Sequence, residues 1–261
     1  MPSSSSRRRV HIGGVPIDAL DLEGAIWAID DLVSRGEGGA VFTPNVDHVV
    51  EYGENPRLRE AYRSADLSLV DGLPVVWASR LMGQALPERV AGSDLVLPLM
   101  RRASDRGWRV FLLGGQEGVA ALAAERLSRS MPRLDVVGTL APRIDMSEPR
   151  EHRARIVEAV RSTRPHLVVV GFGAPKQELW IHESRDALAP AVLLGLGASI
   201  DFMAGTVPRA PEWMARSGLE WFYRLLREPR RLWRRYFLKD PKFALIVLRT
   251  LLAAKPGRGE P

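Results

Sequence analysis

Three short apolar segments that end in glycine constrain the fold of this chain more than any other feature. They lie at residues 109–115, 167–173 and 191–197, with amphipathic stretches between them. Apolar runs rich in Val and Leu are typical of parallel strands buried on both faces, and glycine at a strand end allows a tight turn or the close approach of a ligand. The repetition predicts an α/β fold with a Rossmann-like, doubly wound, mostly parallel sheet.

The second of these segments has the most polar surroundings. Gly173 follows the apolar run, Pro175 favours the first turn of a helix, and Lys176 and Gln177 come directly after it. A helix start offers unpaired N–H groups and the positive end of the helix dipole, which together favour an anion. The residues alone leave two interpretations open, a phosphate site and an ordinary strand-to-helix turn with a solvated lysine.

Two earlier predicted strands also end in polar residues. Thr43 and Asn45 flank Pro44 at the end of the strand 40–43, and Asp71 follows the short strand 67–70. Open α/β sheets bind ligands at the carboxyl ends of their strands, so these side chains are candidates for a site. For Asp71 the commoner role of an aspartate in this position, a helix cap, stays open at this stage.

Several chemistries are excluded or disfavoured by what the chain lacks. Its 261 residues include no cysteine, and its five histidines have no metal-ligand spacing. No Asp-x-Asp pair, P-loop, G-x-G-x-x-G fingerprint or G-x-S-x-G elbow is present. We therefore expect no metal and no cofactor, and the absence of cysteine fits a reducing, cytoplasmic compartment.

The basic charge of the chain is concentrated near its C-terminus. The net charge is +6, and residues 216–258 hold 12 Lys/Arg against 3 Asp/Glu, which gives +9 there and −3 elsewhere. Predicted helices at 219–227, 229–237 and 241–254 mix these cations with aromatic and apolar residues. The last is shorter than the roughly 20 residues that span a bilayer. An anionic membrane surface and a helical cap on the domain are both compatible with this pattern.

These features divide the chain into four predicted parts. Residues 1–9 are a disordered N-terminus, 10–217 an α/β domain, 218–255 a basic amphipathic helical appendage, and 256–261 a disordered C-terminus. The glycine turns suit a pyrophosphate, so a nicotinamide oxidoreductase and an enzyme that uses a nucleotide-activated sugar compete. The missing dinucleotide fingerprint disfavours the oxidoreductase.

A set of ordered motifs resembles the WecG/TagA/CpsF family of bacterial glycosyltransferases. The resemblance runs from about Val10 to Tyr236. The motifs are Thr43-Pro44-Asn45-Val46-Asp47, Ala65-Asp66 to Asp71-Gly72, Glu88 to Asp94, Gly171 to Glu178, Gly195 to Phe202 and Arg209 to Trp221.

The resemblance implies inverting, metal-independent transfer of a hexosyl unit, of the N-acetylmannosamine type, from a UDP-sugar to a polyprenyl-diphosphate-linked sugar. It places such an enzyme at the cytoplasmic face of the membrane, in cell-envelope polysaccharide synthesis. By the family pattern Asp71 matches the general base, Thr43 and Asn45 match the polar pocket beside it, and Arg89 and Gln177 match further substrate-binding positions. The tail arginines Arg224, Arg231 and Arg234 match residues that complete the site. Gly173 and Lys176, from the turn itself, are the other candidate substrate-binding positions.

Other functions stay open on sequence grounds. Within the family, a UDP-glucose or UDP-uronic acid transferase of exopolysaccharide assembly fits the same motifs. Outside it, a non-enzymatic basic module that binds membranes or nucleic acid would also explain the charged tail. We expect no nucleic-acid partner, because the net positive charge is confined to one end of the chain. A homo-oligomer is left open.

Overall fold

Six parallel strands form the centre of the protein. The computed structural model describes residues 7–147, 149–207, 214, 223 and 240–253. The sheet has the strand order β4-β3-β8-β7-β5-β6, and every neighbouring pair in it is parallel. Its strands are β3 (Gly39–Phe42), β4 (Leu67–Ser68), β5 (Arg109–Gly114), β6 (Asp135–Leu140), β7 (Leu167–Gly171) and β8 (Val192–Gly195). The predicted doubly wound parallel sheet is confirmed.

Helices cover both faces of this sheet. In the described residues they are α1 (Leu22–Arg35), α2 (Val46–Glu54), α3 (Pro56–Arg63), α4 (Leu73–Leu81), α5 (Gly92–Arg106), α6 (Val119–Ser130), α7 (Arg150–Ser162), α8 (Lys176–Leu188), α9 (Ser199–Ala204) and α10 (Asp240–Ala253). One core cluster includes residues from α2, α3, α4, α7, α8 and α10, and the other residues from α1, α5, α6 and α9. Strands β3, β5, β7 and β8 are buried between the two clusters, as their apolar sequences require, whereas β6 at the sheet edge is partly exposed.

The first strand of the chain pairs outside the main sheet. It forms β1 (Arg9–Ile12) of an antiparallel hairpin with β2 (Val15–Asp18), which the sequence did not reveal. Asp18 is only 2% exposed, and its Oδ2 accepts a hydrogen bond from the main-chain N–H of Ser68 at 2.8 Å. Arg9 donates to both carboxylate oxygens of Asp18, at 3.0 and 2.9 Å. The hairpin is therefore fixed to the main sheet beside β4.

Some helix boundaries differ from the sequence prediction. Ser93 and Asp94 are residue types typical of a helix N-cap, so the sequence predicts that they cap α5, but its N-cap is Ala91, without a side-chain hydrogen bond. Ser93 is buried in the first turn, and Asp94 pairs with Arg89 at 2.7 Å, so neither is placed as a cap. Helices α2 and α7 and strand β6 were not predicted, because their apolar residues are few or are interrupted by charges.

The last described helix, α10, packs on the domain. Phe243 and Val247 are buried in the core cluster that includes α2, and Lys242 pairs with Glu54 of α2 at 2.6 Å. Leu245, Leu248 and Leu252 on the same helix are about half exposed. Part of the predicted basic appendage thus contributes to the core. No described helix is both long and apolar enough to cross a membrane. The other two predicted tail helices lie outside the described residues.

Glu183 of α8 joins three helices on one face of the sheet. Arg57 of α3 and Arg153 of α7 bind its two carboxylate oxygens at 2.7 and 3.0 Å. Partial burial alone raises the pKa of Glu183, but the hydrogen bonds and charges of the two arginines outweigh it and lower that pKa. Because the pKa of Glu183 is lower in the folded protein than in the unfolded chain, its ion pairs stabilise the fold at pH values above the unfolded pKa, about 4.3. This stabilisation is lost as the pH falls through the pKa of Glu183 in the folded protein.

We predict that Glu183→Gln destabilises the protein at pH 7 by about 1 kcal/mol, the range of partly exposed ion pairs. The difference in melting temperature between wild type and variant should shrink as pH falls below about 4, where Glu183 itself becomes protonated. Thermal unfolding followed by circular dichroism at pH 7, 5 and 3.5 measures this. A difference that stays constant with pH would contradict the ionic role.

Candidate active site

The strand register brings four carboxyl ends to the same level. Phe42 of β3 lies opposite Ser68 of β4 on one side and Gly195 of β8 on the other. Gly195 lies opposite Val170 of β7. The helices that follow β3 and β7 pack on one face of the sheet, whereas α9, after β8, packs on the other. Diverging connections of this kind leave a crevice where ligands bind in open α/β sheets.

Three of the predicted site residues meet at the ends of β3 and β4. Thr43 is buried, and its hydroxyl donates to the carbonyl oxygen of Gly195 at 3.0 Å. The main-chain N–H of Asp71 donates to the carbonyl of Pro44 at 2.8 Å, which places Asp71 beside the β3 segment. A Cβ on Gly72 would lie 3.7 Å from that of Asn45. Thr43, Asn45 and Asp71 are therefore neighbours, as predicted from their strand ends.

Gln177 and Gly173 belong to the neighbouring turn after β7. The Gln177 side chain is 3% exposed, and its Oε1 accepts a hydrogen bond from the main-chain N–H of Gly197 at 3.1 Å. Gly173 has φ +76°, a left-handed conformation that favours glycine, and a Cβ there would meet no atom within 4 Å. The turn thus has open space next to its main chain, as an anion site requires.

The two predicted cations of the domain bind protein groups in this structure. Arg89 is half-buried and pairs with Asp94, while the adjacent Val90 N–H donates to the Val70 carbonyl at 2.8 Å and brings this loop to the end of β4. Lys176 donates from Nζ to the carbonyl oxygen of Ile144 at 3.0 Å. Both cations are at the carboxyl rim of the sheet, and their substrate roles stay predictions.

A cavity of about 270 Å³ adjoins Lys176 on the same rim. It lies between the loop after β6 and the first turns of α7, and Ile144, which Lys176 contacts, is one of its walls. Its lining is Pro142, Arg143, Ile144, Asp145, His152, Arg153, Arg155 and Ile156. Three arginines against one aspartate make this concavity basic.

The other expectations about ligands concern the tail and metals. Arg224, Arg231 and Arg234 lie outside the described residues. Within the described part of the chain, no three His, Asp or Glu side chains are grouped closely enough to hold a metal ion. Asp47, two residues after Asn45, donates its main-chain N–H to Asn45 Oδ1 at 3.0 Å, so this carboxylate belongs to the capped start of α2.

A buried polar cluster behind these residues was not predicted. It consists of His48 of α2, Tyr62 of α3 and Glu178 of α8, which are 5%, 0% and 0% exposed. His48 Nε2 lies 3.2 Å from Glu178 Oε1, and the rings of His48 and Tyr62 meet edge-on with centroids 6.2 Å apart. The available signal was Glu178 in the first turn of a helix that follows a buried strand, where a carboxylate has little solvent.

The effect of burial on Tyr62 shows that this region excludes solvent. Burial, together with the negative charges of Glu178 and Asp71, raises the pKa of Tyr62 well above its usual value. The phenol therefore stays protonated throughout the physiological range. Its hydroxyl has no hydrogen-bond partner among the described residues. Glu178 and Asp71 are therefore both close enough to act electrostatically on the same buried phenol.

A parallel sheet with polar side chains gathered at the carboxyl ends of its strands is typical of α/β enzymes that bind a ligand at this edge. The model of the glycosyl transferase WecG/TagA/CpsF family matches residues 10–257. The chain belongs to this family, as its motifs predicted, and the protein is a glycosyltransferase.

Two relatives from bacilli are similar over most of the chain. An enzyme of Bacillus spizizenii (strain ATCC 23059 / NRRL B-14472 / W23) is 37% identical over 225 residues, which cover 86% of this chain and 84% of the relative. An enzyme of Bacillus subtilis (strain 168) is 37% identical over 186 residues, or 71% of this chain and 70% of the relative. Each is named N-acetylglucosaminyldiphosphoundecaprenol N-acetyl-beta-D-mannosaminyltransferase.

We predict that Tyr62→Phe leaves the protein as stable as wild type or makes it more stable, by up to about 1 kcal/mol. A buried hydroxyl without a partner loses its hydration on folding and gains no bond in return. Thermal unfolding of the two proteins compares them directly. A clear loss of stability would show that the hydroxyl has a partner.

Proposed function

We propose that the protein transfers an N-acetylmannosaminyl unit from UDP-N-acetylmannosamine to undecaprenyl-diphosphate-linked N-acetylglucosamine. The reaction inverts the anomeric centre and uses no metal ion. Two observations support this proposal. The relatives' names specify this sugar and this acceptor, and the predicted site residues of the domain gather at the ends of β3, β4 and β7. The second is the observation on which the proposal mainly rests.

Asp71 acts as the general base in this proposal. An inverting transfer needs one group to take the proton of the acceptor hydroxyl while the diphosphate departs on the opposite side. Asp71 is partly exposed, so that a substrate can reach it, and its main chain is held by Pro44. Thr43 and Asn45 lie beside it and bind the sugar or the acceptor.

The departing UDP carries negative charge that something must stabilise. Without a metal, main-chain N–H groups at the glycine turns and cations at the rim serve this role. Gly173 and Gln177 line the turn after β7, and Lys176 projects toward the basic cavity between residues 142 and 156. Arg89 reaches the other end of the site, and Arg224, Arg231 and Arg234 of the tail complete it.

A direct assay tests the proposal. Purified full-length protein is incubated with UDP-N-acetylmannosamine and a short-chain polyprenyl-diphosphate N-acetylglucosamine, and the disaccharide product is followed by mass spectrometry. We expect transfer in the presence of EDTA. Parallel reactions with UDP-glucose, UDP-N-acetylglucosamine and UDP-glucuronic acid test the sugar. Faster transfer from one of these donors would replace the proposed sugar, and activity that EDTA abolishes would exclude the metal-free mechanism.

We predict that Asp71→Asn lowers turnover by about 10²-fold or more, the range of a general base, with the affinity for UDP unchanged. Asp66→Asn is the matched control. Asp66 accepts a hydrogen bond from Ala40 N–H at 2.8 Å and pairs with Arg185, so this carboxylate is structural. The control should melt earlier and keep its activity per folded molecule. Equal losses of turnover in both variants would reject a special role for Asp71.

The acceptor's lipid suggests where the enzyme works. We propose that the protein is peripheral on the cytoplasmic face of the membrane, bound through the net charge of +9 in residues 216–258. Near an anionic surface each Lys or Arg contributes about 1 kcal/mol, which falls as salt screens the attraction. The half-exposed leucines 245, 248 and 252 of α10 add an apolar surface close to this charge.

We predict that the triple variant Arg224→Ala, Arg231→Ala, Arg234→Ala loses activity by about 10²-fold and binds anionic vesicles more weakly than wild type. This variant is a cleaner test than deletion of the tail. Deletion after Ser217 would also remove Phe243 and Val247 of α10 from the core and lower stability. Turnover and vesicle sedimentation are measured separately. Unchanged turnover would reject the catalytic role, and unchanged sedimentation would reject the membrane role.

A further inference from the structure

The carboxylate of Glu178 is the most deeply buried charge-bearing group near the proposed site. It is 0% exposed, and its Oε1 receives the Gln177 side-chain N–H at 2.8 Å and faces His48 Nε2 at 3.2 Å. Its other oxygen, Oε2, is buried and has no hydrogen-bond partner among the described residues. Burying a carboxylate with one oxygen unpaired is costly, so stability alone is a poor reason for its presence. Its place in the first turn of α8 offsets part of this cost.

One series of hydrogen bonds, or branch, runs from Glu178 to the end of β8. The carboxylate orients the Gln177 amide, because Nε2 must face Glu178 and Oε1 must then face the main-chain N–H of Gly197. A Cβ on Gly195 would lie 3.3 Å from Gln177 Nε2, so the amide is packed tightly against the end of β8. The amide of a predicted substrate-binding residue thus has a single orientation, set by its neighbour in sequence.

The other branch leads to β3. The main-chain N–H of Asn45 donates to His48 Nδ1 at 3.2 Å, which leaves the proton of a neutral imidazole on Nε2, facing Glu178. The Asn45 side-chain oxygen lies 2.9 Å from the same Nδ1. His48 therefore fixes the main chain of Asn45 at the start of α2, and the Asn45 side-chain oxygen is held by the main-chain N–H of Asp47.

The same branch continues to β4 and the proposed base. Pro44 precedes Asn45, and its carbonyl accepts the main-chain N–H of Asp71 at 2.8 Å. The path from the buried carboxylate to Asp71 is then His48, Asn45, Pro44 and Asp71. Each step is a hydrogen bond or a single peptide link. Glu178 is therefore connected to the carboxyl ends of β3, β4 and β8 from its own position after β7.

We propose that Glu178 is a positioning residue for glycosyl transfer, which acts through His48 on Asn45 and Asp71 and directly on Gln177. The inference rests on the proposed function, in which these three residues bind or activate the substrates. Glu178 does not touch the substrates in this scheme. Its charge holds the groups that do, because bonds to an ionised acceptor are stronger and shorter than neutral ones.

A simple structural ion pair makes different predictions. If Glu178 and His48 only stabilise the fold, their substitution lowers the melting temperature, and activity per folded molecule is kept. If Glu178 positions the site, loss of its charge lowers turnover without a matching loss of stability. A displacement of reacting groups by about 1 Å can cost on the order of 10²-fold in rate.

Two conservative variants each break the contact between Glu178 and His48. Glu178→Gln keeps the shape and one acceptor oxygen but removes the charge. In His48→Asn the side-chain amide places a polar atom near the position that Nδ1 occupies in wild type, so the contact with Asn45 is kept. The nitrogen that faces Glu178 is lost. We expect each to lower kcat by about tenfold or more, with a melting temperature for Glu178→Gln at or above that of wild type. Because both variants break the contact between Glu178 and His48, the kcat of the double variant should be no lower than that of the slower single variant.

Glu183→Gln is the control for a charge lost from the same helix, since the Glu183 carboxylate pairs with Arg57 and Arg153 rather than with His48 or Gln177. It should lower stability and leave kcat within about twofold. Wild-type kcat in Glu178→Gln and His48→Asn, or a double variant whose loss is the product of the two single losses, would overturn the inference. If Glu178→Gln does not fold, His48→Asn decides by the same criteria.

Hydrogen exchange separates this inference from the proposed function. The Asp71 and Gly197 amides are bonded to Pro44 and to the Gln177 side chain. In Glu178→Gln both should exchange faster, by about tenfold, whereas in Glu183→Gln they should exchange as in wild type. If wild-type protein transfers no sugar, the proposed function fails, and exchange at these two amides alone decides whether Glu178 holds the strand ends. Unchanged exchange in Glu178→Gln would overturn the inference, whatever the activity.

Discussion

The parallel sheet must be covered on both faces, and the rest of the architecture follows from this requirement. Strands β5, β7 and β8 are apolar on both sides, so each must be followed by a connection that crosses a face of the sheet. Main-chain groups in the middle of the sheet are paired with neighbouring strands. Only at the rim, where strands end and helices begin, do polar groups become available to a ligand. The candidate site is at that rim for this reason.

The metal-free transfer that we propose divides the work at this rim among several groups. In this proposal the turns supply space and main-chain donors, the half-buried and exposed cations supply charge, and Asp71 supplies the base. The side chains behind them, His48 and Glu178, are buried. In a region of low dielectric constant their mutual orientation is more strongly fixed than that of surface groups, which favours precise placement of the residues in front.

The sequence was a good guide to strands and a poorer guide to what lies behind the site. Runs such as 167–171 are apolar on every residue, and a glycine end marks where they stop. The position of Thr43, Asn45, Asp71 and Gln177 at strand ends could be predicted because each follows such a strand, and their roles in the site stay predictions. Strand β6 escaped prediction because it is at the sheet edge, partly exposed, and contains Gly138 and Thr139. Periodicity carries no signal for a strand of that kind.

The buried cluster could not be inferred for a different reason. His48, Tyr62 and Glu178 are on three helices, and only the packing of α2, α3 and α8 on the same face brings them together. Each taken singly has an ordinary local explanation. His48 completes the cap of α2, and Glu178 is an acid in a first helical turn. Their relation is a property of tertiary structure, which local sequence patterns do not encode.

The hairpin that precedes the main sheet also protects one of its edges. Strand β4 is only two residues long. The carboxylate of Asp18 accepts the hydrogen bond from the Ser68 N–H, which would otherwise be available to a further strand. Natural proteins shorten or cover such edges to prevent the pairing of sheets between molecules. At this edge, therefore, sheet growth by addition of a strand from another chain is blocked. A second copy of the protein that associates here would have to use side-chain surfaces, and aggregation through a continuous intermolecular sheet is disfavoured.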